Sequence, residues 1–192
     1  MDVRPILLSF QTAIIAILFT FVLGTGVAYI VFRLKNRKLK ILLNSLFTLP
    51  LVLPPTVFGF FLLTIFGVQQ PVGQFLLDFF AIQVVFSWPA TVIAAVAVSF
   101  PLMYRSALTA FEQMDSELLA VAQTLGFSES RYFRKIALPL SMNGLLAGGV
   151  LAFARGLGEF GATTMLAGNI AGKTRTLPLA IYSAVASGDW RS

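Results

Sequence analysis

Charged positions fall in clumps along this chain, and the intervals between the clumps are long. From Ile6 to Phe32 there are 27 residues without a charge, Ile41 to Leu77 carries none either, and Ile136 to Ala154 adds 19 more. About 20 apolar residues, rising 1.5 Å each as a helix, cross the hydrocarbon core of a bilayer, so runs of this length predict spanning helices. Four spans are expected, over about 6–32, 41–67, 88–110 and 137–160. Val72 to Ser87 holds Asp78 and the cluster FLLDFFAIQVVF, and reads as a short interfacial or re-entrant segment rather than a crossing. After Gly161 the pattern changes to glycine, threonine and two basic residues around one short apolar piece, Leu177 to Val185. This predicts an external segment over 162–192 containing an interfacial helix.

The exception to the apolar pattern is a charged island, Glu117 to Pro139, ELLAVAQTLGFSESRYFRKIALP. Lying between spans, it must project into water, within a loop expected over 112–136. Ala120, Ala122 and Leu125 suit a first short helix and Gly126 a left-handed turn. Ser128 suits the start of a second helix, and Pro139 the start of the next span. A helix-turn-helix of this kind offers a compact knob to the groove of a soluble partner.

Composition changes the picture only by closing alternatives. With 57% hydrophobic and 11% charged residues and a mean hydropathy of +0.86, the chain is an all-α integral membrane protein with no room for a soluble domain. A formal charge of +6 could point to nucleic acid. Arg33, Lys35, Arg37, Lys38 and Lys40, however, sit together directly after the first apolar run, the topology signal of a cytoplasmic loop. No nucleic-acid partner is expected, membrane lipids are, and the N-terminus is predicted outside. Cysteine and histidine are both absent, so neither a disulfide framework nor a thiolate metal site is available.

Two places within the spans carry candidate chemistry. Pro50, Pro54 and Pro55 interrupt the second span, and a continuous helix is not expected there. The Pro54–Pro55 pair lies roughly 20 Å along from Ile41, where freed carbonyls must face protein or a wet cavity. It is either a structural kink or part of a translocation path. In ARGLGEFGATT, Arg155 and Glu159 are spaced to share a helical face and to form an ion pair. Charged groups at this depth cost about 2.5–3.5 kcal/mol each on insertion scales. The pair is either structural or a pathway lining able to attract an anion. Gly156, Gly158 and Gly161 allow close backbone approach, for packing or for a gate. An intramembrane enzyme would need a nucleophile and base without His or Cys, and no paired carboxylates face one another in a span. A membrane scaffold that merely binds a partner is the other rival.

The spacing of Ala120, Ala122, Gly126, Phe133, Ile136, Leu138 and Pro139 resembles the coupling loop of permease subunits in binding-protein-dependent ABC importers. In that family the loop sits in a cleft of the ATPase and transmits its closure to the membrane helices. The acidic residue that usually opens the motif falls here on Ala120, and Glu117 lies one turn earlier. LPLVLPPTVFGFFLL, SFPLMYRSA and ARGLGEFGATTMLAGNIAGKTRTLPLAIY look like the molybdate permease branch, with sulfate permeases sharing the GEFGA portion. The resemblance implies a type I importer transmembrane domain that moves molybdate or tungstate across the inner membrane of a prokaryote, with a sulfate or thiosulfate permease as the alternative. It also implies two permease copies, a soluble ABC ATPase that holds ATP and Mg, and an external oxyanion-binding protein. No cofactor and no catalysis are expected in the chain itself, which has no G-x-x-x-x-G-K-[S/T] phosphate loop. The implied coupling residues are Glu117, Ala120, Ala122, Gly126, Phe133, Ile136, Leu138 and Pro139. The implied path residues are Pro54, Pro55, Arg155, Gly158, Glu159, Gly161 and Thr163. The family's core has a further helix after the external segment, so a truncated copy missing the last core span is also expected.

Overall fold

A computed structural model describes residues 3–115 and 117–188. Eleven α-helices are built from them: α1 (Arg4–Arg33), α2 (Arg37–Val52), α3 (Pro55–Phe66), α4 (Pro71–Phe80), α5 (Trp88–Glu112), α6 (Glu117–Thr124), α7 (Glu129–Tyr132), α8 (Leu138–Leu140), α9 (Met142–Leu157), α10 (Gly161–Ala167) and α11 (Leu177–Ser187). A π-turn at Phe133–Ala137 joins α7 to α8. Two helices, α1 and α5, are each long and apolar enough to cross a membrane. Two bent pairs reach that length together: α2 with α3, at 114°, and Glu129–Leu140 with α9, at 72°.

Proline and short polar side chains punctuate the elements. Pro5 and Pro89 stand in the first turns of α1 and α5, where their missing N–H groups would have had no partner in any case. Asn36 turns the chain into α2 by accepting the N–H groups of Lys38 at 3.0 Å and Leu39 at 3.2 Å. α2 ends at Val52, Pro54 is the N-cap of α3 and Pro55 its first residue. α4 stops at Ala81, which takes a left-handed conformation at φ 54°.

The core is α1, α5 and α9. Thr12 meets Thr91 at 3.1 Å and Thr20 meets Ser99 at 3.2 Å, a constant offset of 79 residues, so α1 and α5 run parallel. α9 runs the other way, with Gly144 against Ala110 and Gly148 against Ser106. The seams are alanines and hydroxyls, Ala13, Ala16, Ala28, Ala95 and Ala152 among them, all 1% exposed or less. Large side chains such as Leu7, Leu18, Val22, Leu46 and Val150 point outward instead. This inside-out distribution suits a bilayer, where lipid covers leucine as well as protein does and close backbone contact decides packing. At the basic end a larger cluster forms around Tyr104, Leu108, Phe111, Tyr132 and Leu145. At the opposite end Ser9 of α1 accepts the Leu177 N–H at 2.6 Å and ties down α11.

Two of the expected spans depart from single helices, and the third runs on. The residues 41–67 form two elements at a steep angle, because two successive prolines leave no N–H to carry the helical ladder past Leu53. The span expected over 88–110 is the single helix α5, which ends at Glu112. In 137–160, Pro139 cannot donate to the turn before it. The backbone absorbs this as the π-turn, bends at Ser141 and starts α9 at Met142.

Candidate functional site

The two helix breaks meet. α9 ends at Leu157, Gly158 is its C-cap, and α10 begins at Gly161. Gly161 lies against the start of α3: a Cβ added there would stand 2.9 Å from the Cβ of Pro55 and 3.1 Å from the amide of Thr56. One turn along, a Cβ on Gly59 would stand 2.7 Å from the Cα of Ala162. Only glycine permits such backbone contact, and it sets α3 and α10 side by side and parallel. Pro54, Pro55, Thr56 and Gly158 are exposed around this junction, while Gly161 and Thr163 are buried.

Arg155 and Glu159 pair at 2.6 Å, but they do not share a helical face, since the helix has ended between them. Glu159 instead lies in the break. Its Oε2 takes Nη1 of Arg155, and its Oε1 accepts the Ala162 N–H at 2.6 Å, capping α10. The Glu159 side chain is 2% exposed and the Arg155 side chain 32%. The acid is therefore buried while its cationic partner is partly exposed.

The second candidate lies at the basic end. α6 and α7 form the helix-turn-helix, and Gly126 makes the turn at φ 75°, its neighbour Phe127 donating to the Ala122 carbonyl at 3.0 Å. Ser128 accepts the Arg131 N–H to start α7. Glu117, Ala120, Val121, Leu125, Pro139 and the basic residues Arg131, Arg134 and Lys135 are exposed; Ala122 and Tyr132 are buried; Phe133, Ile136 and Leu138 are half-buried. Phe133 packs on Tyr29 of α1 with ring centroids 4.5 Å apart, and Tyr29 meets Phe111 of α5 edge-on. Burial among these elements pushes the Tyr132 hydroxyl above its ordinary pKa, a rise that Arg33 opposes and Glu129 adds to. An ion pair from Arg33 to Glu129 holds α7 to the end of α1, and one from Lys40 to Glu112 at 2.7 Å holds α2 to α5. The knob is thus fixed to α1 and α5 and presents one face outward.

One further pattern, Ala167-x4-Gly172-Lys173-Thr174, approaches a phosphate loop by spacing. Its geometry is different. The N–H groups of Lys173, Thr174 and Arg175 all turn onto the Ile170 carbonyl, at 3.1, 2.9 and 3.1 Å, and the Thr174 hydroxyl is buried against Ile170 and Gly168. Those amides are taken up within the loop and form no phosphate cradle.

Residues 20–187 match the family of binding-protein-dependent transport system inner membrane components. The chain belongs to this family. A molybdenum transport system permease protein, ModB, of Haemophilus influenzae is 44% identical over 183 residues, covering 95% of this chain and 80% of that protein. ModB of Escherichia coli K12 is 44% identical over 182 residues, covering 95% and 79%. ModB of Azotobacter vinelandii is 36% identical over 185 residues, covering 96% and 81%. As an inner membrane component of such a system, the chain is an integral membrane protein, and large apolar side chains of α1 such as Leu7, Leu18 and Val22 lie exposed on its outside.

Within this permease the structure brings Pro55, Glu159, Gly161 and, through the ion pair, Arg155 into one junction, with Pro54 and Gly158 on its exposed side. Thr163 lies deeper, inside α10. Gly59 belongs to the junction as well, and sequence reasoning did not single it out; its one signal is its place four residues after Pro55, on the same helical face. Arg33 and Lys40 were read as topology markers alone. Their partners Glu129 and Glu112 are 96 and 72 residues away, and no local pattern reports such pairs.

Proposed function

We propose that this chain is the permease subunit of an ATP-driven importer that carries molybdate or tungstate across the inner membrane. The observation that carries this reading is 44% identity along 95% of the chain to proteins named for molybdenum transport. In this reading two copies form the path, a soluble ATPase binds ATP and Mg on the cytoplasmic side, and an external binding protein delivers the oxyanion to the side bearing α11. The N-terminus lies outside. The exposed face of α6–α7 docks in the ATPase, with Glu117, Ala120, Ala122 and Gly126 shaping the first helix and turn. Phe133, Ile136, Leu138 and Pro139 pass its movement to α9. Closure of the ATPases then moves α9 and α10 against α3 at the junction of Pro54, Pro55, Gly158 and Gly161. Arg155 supplies positive charge to the passing anion, and Thr163 stiffens α10 behind it.

Reconstitution into proteoliposomes with the ATPase and the binding protein tests the reading. ATP-dependent uptake of labelled molybdate, and molybdate-stimulated ATP hydrolysis, are expected to persist in a large excess of sulfate. Uptake of sulfate alone would assign the chain to sulfate transport, and uptake of neither anion would remove the oxyanion reading.

A further inference from the structure

α5 carries one charged side chain ahead of its terminal Glu112, and that is Arg105. Seven residues of helix put it about 10 Å short of Glu112, whose pair with Lys40 marks the basic end. A guanidinium at that depth in a bilayer persists where it is paired or where water reaches it. Arg105 is exposed, and among the described residues it has no acidic partner. It lines a groove instead.

Arg105, Thr109 and Gln113 recur every fourth residue, so they share one face of α5, and all three are exposed. With Ser106, and with Gly144 and Ala147 of α9 opposite, they line a cavity of about 430 Å³. Glycine lets α9 lie this close without filling it. A Cβ on Gly144 would stand 2.6 Å from the Cβ of Ala110, and one on Gly148 would stand 2.5 Å from that of Ser106. The lining holds a guanidinium, two hydroxyls and an amide, and no acid. Among the described residues, none of these four side chains is engaged in a hydrogen bond or ion pair. A tetrahedral oxyanion offers acceptors only, and each of the four can donate to it.

The groove continues both ways. A second cavity of about 450 Å³ shares Ala110, Gln113 and Gly144 with the first and runs on to Asp115 and Leu118 at the base of the knob. In the other direction Ala147, Leu151, Ala154 and Gly158 are exposed on one face of α9, which leads to the junction with α3. Resting on the transport reading above, we infer that the α5–α9 groove is an inner anion site, at which Arg105 binds the oxyanion between the junction and the cytoplasm. Ser106, Thr109 and Gln113 add neutral donors. The site takes tetrahedral oxyanions as a class, because its donors read charge and acceptor oxygens. Binding is weak, since the groove is open to water that screens the charge, and weak binding permits release.

The chain has no cysteine, so Thr109→Cys puts a single permease thiol in the groove of the assembled permease–ATPase complex. Its labelling by a maleimide, read on the permease chain, is expected to slow roughly threefold in molybdate at about twice the dissociation constant, following 1 + [L]/Kd. Chloride at equal ionic strength is expected to leave the rate unchanged. Arg105→Gln on the same background is expected to abolish the protection, and Arg105→Lys to retain it at higher molybdate. Gln113→Cys repeats the measurement should Thr109→Cys fail to assemble. Val150→Cys, exposed on α9 but lining neither cavity, is expected to show no protection. A groove thiol that does not react even without molybdate is covered, by a second copy or by lipid, and overturns the inference. Protection that chloride reproduces, that extends to Val150→Cys or that survives in Arg105→Gln also overturns it. ATP-dependent molybdate uptake by the wild type is measured in parallel. Protection without uptake removes the transport reading and with it the site's place on a path, whereas uptake without protection removes the site alone.

Discussion

At the residue scale, a few small side chains decide how closely the broken helices approach. Gly59 and Gly161 bring α3 and α10 together at distances no Cβ could tolerate, and the added atoms would strike backbone rather than a movable side chain. Gly59→Val is expected to cost about 1–3 kcal/mol by forcing the helices apart, lowering the thermal midpoint in detergent and reducing transport. Gly158→Ala is the control: its added Cβ meets only the Ala154 carbonyl, at the ordinary distance of 3.6 Å, and the midpoint is expected to hold. A lower midpoint in the Ala variant, or an unchanged one in the Val variant, would contradict this packing. Tyr132 shows burial acting on chemistry. With its pKa raised above 10.0, its neutral form is the one the fold favours. The stability it contributes is fully present below pH 10 and is lost only as pH rises from there toward the folded value, so the knob is insensitive to this group at physiological pH.

At the element scale, the knob combines a turn legible in the sequence with a hinge that is not. Gly126 is at φ 75° with nothing within 4 Å of an added Cβ, so a substitution there acts through the backbone alone. Gly126→Val is expected to strain the α6–α7 turn by about 1–2 kcal/mol, the cost of a left-handed residue with a Cβ, and to weaken molybdate-stimulated ATP hydrolysis severalfold. Assembly in the membrane should be preserved, because the α1–α5–α9 seams lie elsewhere. Preserved ATPase binding and preserved uptake together would remove the coupling role of the loop. The helix-turn-helix and its Ser128 start could be read from local residues. The π-turn could not, although Pro139 was visible. Whether a proline kinks, ends or bulges a helix depends on what packs around it, and here Phe133 and Ala137 are held against α1 and α5.

At the scale of the whole molecule, an ion pair and aromatic contacts at one end bind the knob to α1 and α5, while the other end carries α11 and the Lys173 loop. α1 separates these ends by about 45 Å along its 30 residues. The chain contains no cysteine, so single cysteines report sidedness directly. In intact cells a membrane-impermeant maleimide is expected to label Lys173→Cys and to leave Lys38→Cys unlabelled until the membrane is opened. The reverse pattern would invert the proposed topology.

The sequence by itself determined the solvent, the helical class and the basic end of this protein, because the length of uncharged runs and the clustering of Arg33 to Lys40 are local properties. It also carried the family, through motifs spread along the chain, and it marked where helices stop, since Pro54, Pro55, Gly126 and Pro139 act on their own backbone. What only the tertiary structure decided is which of those stops face one another. The abutment of Pro55 with Gly161, the use of Glu159 as a cap as well as an ion-pair partner, and the reach of Arg33 to Glu129 all join residues far apart in the chain or separated by a break. No periodicity reports them. Such contacts follow from how close small residues let the backbones come, and that is settled only when the helices pack.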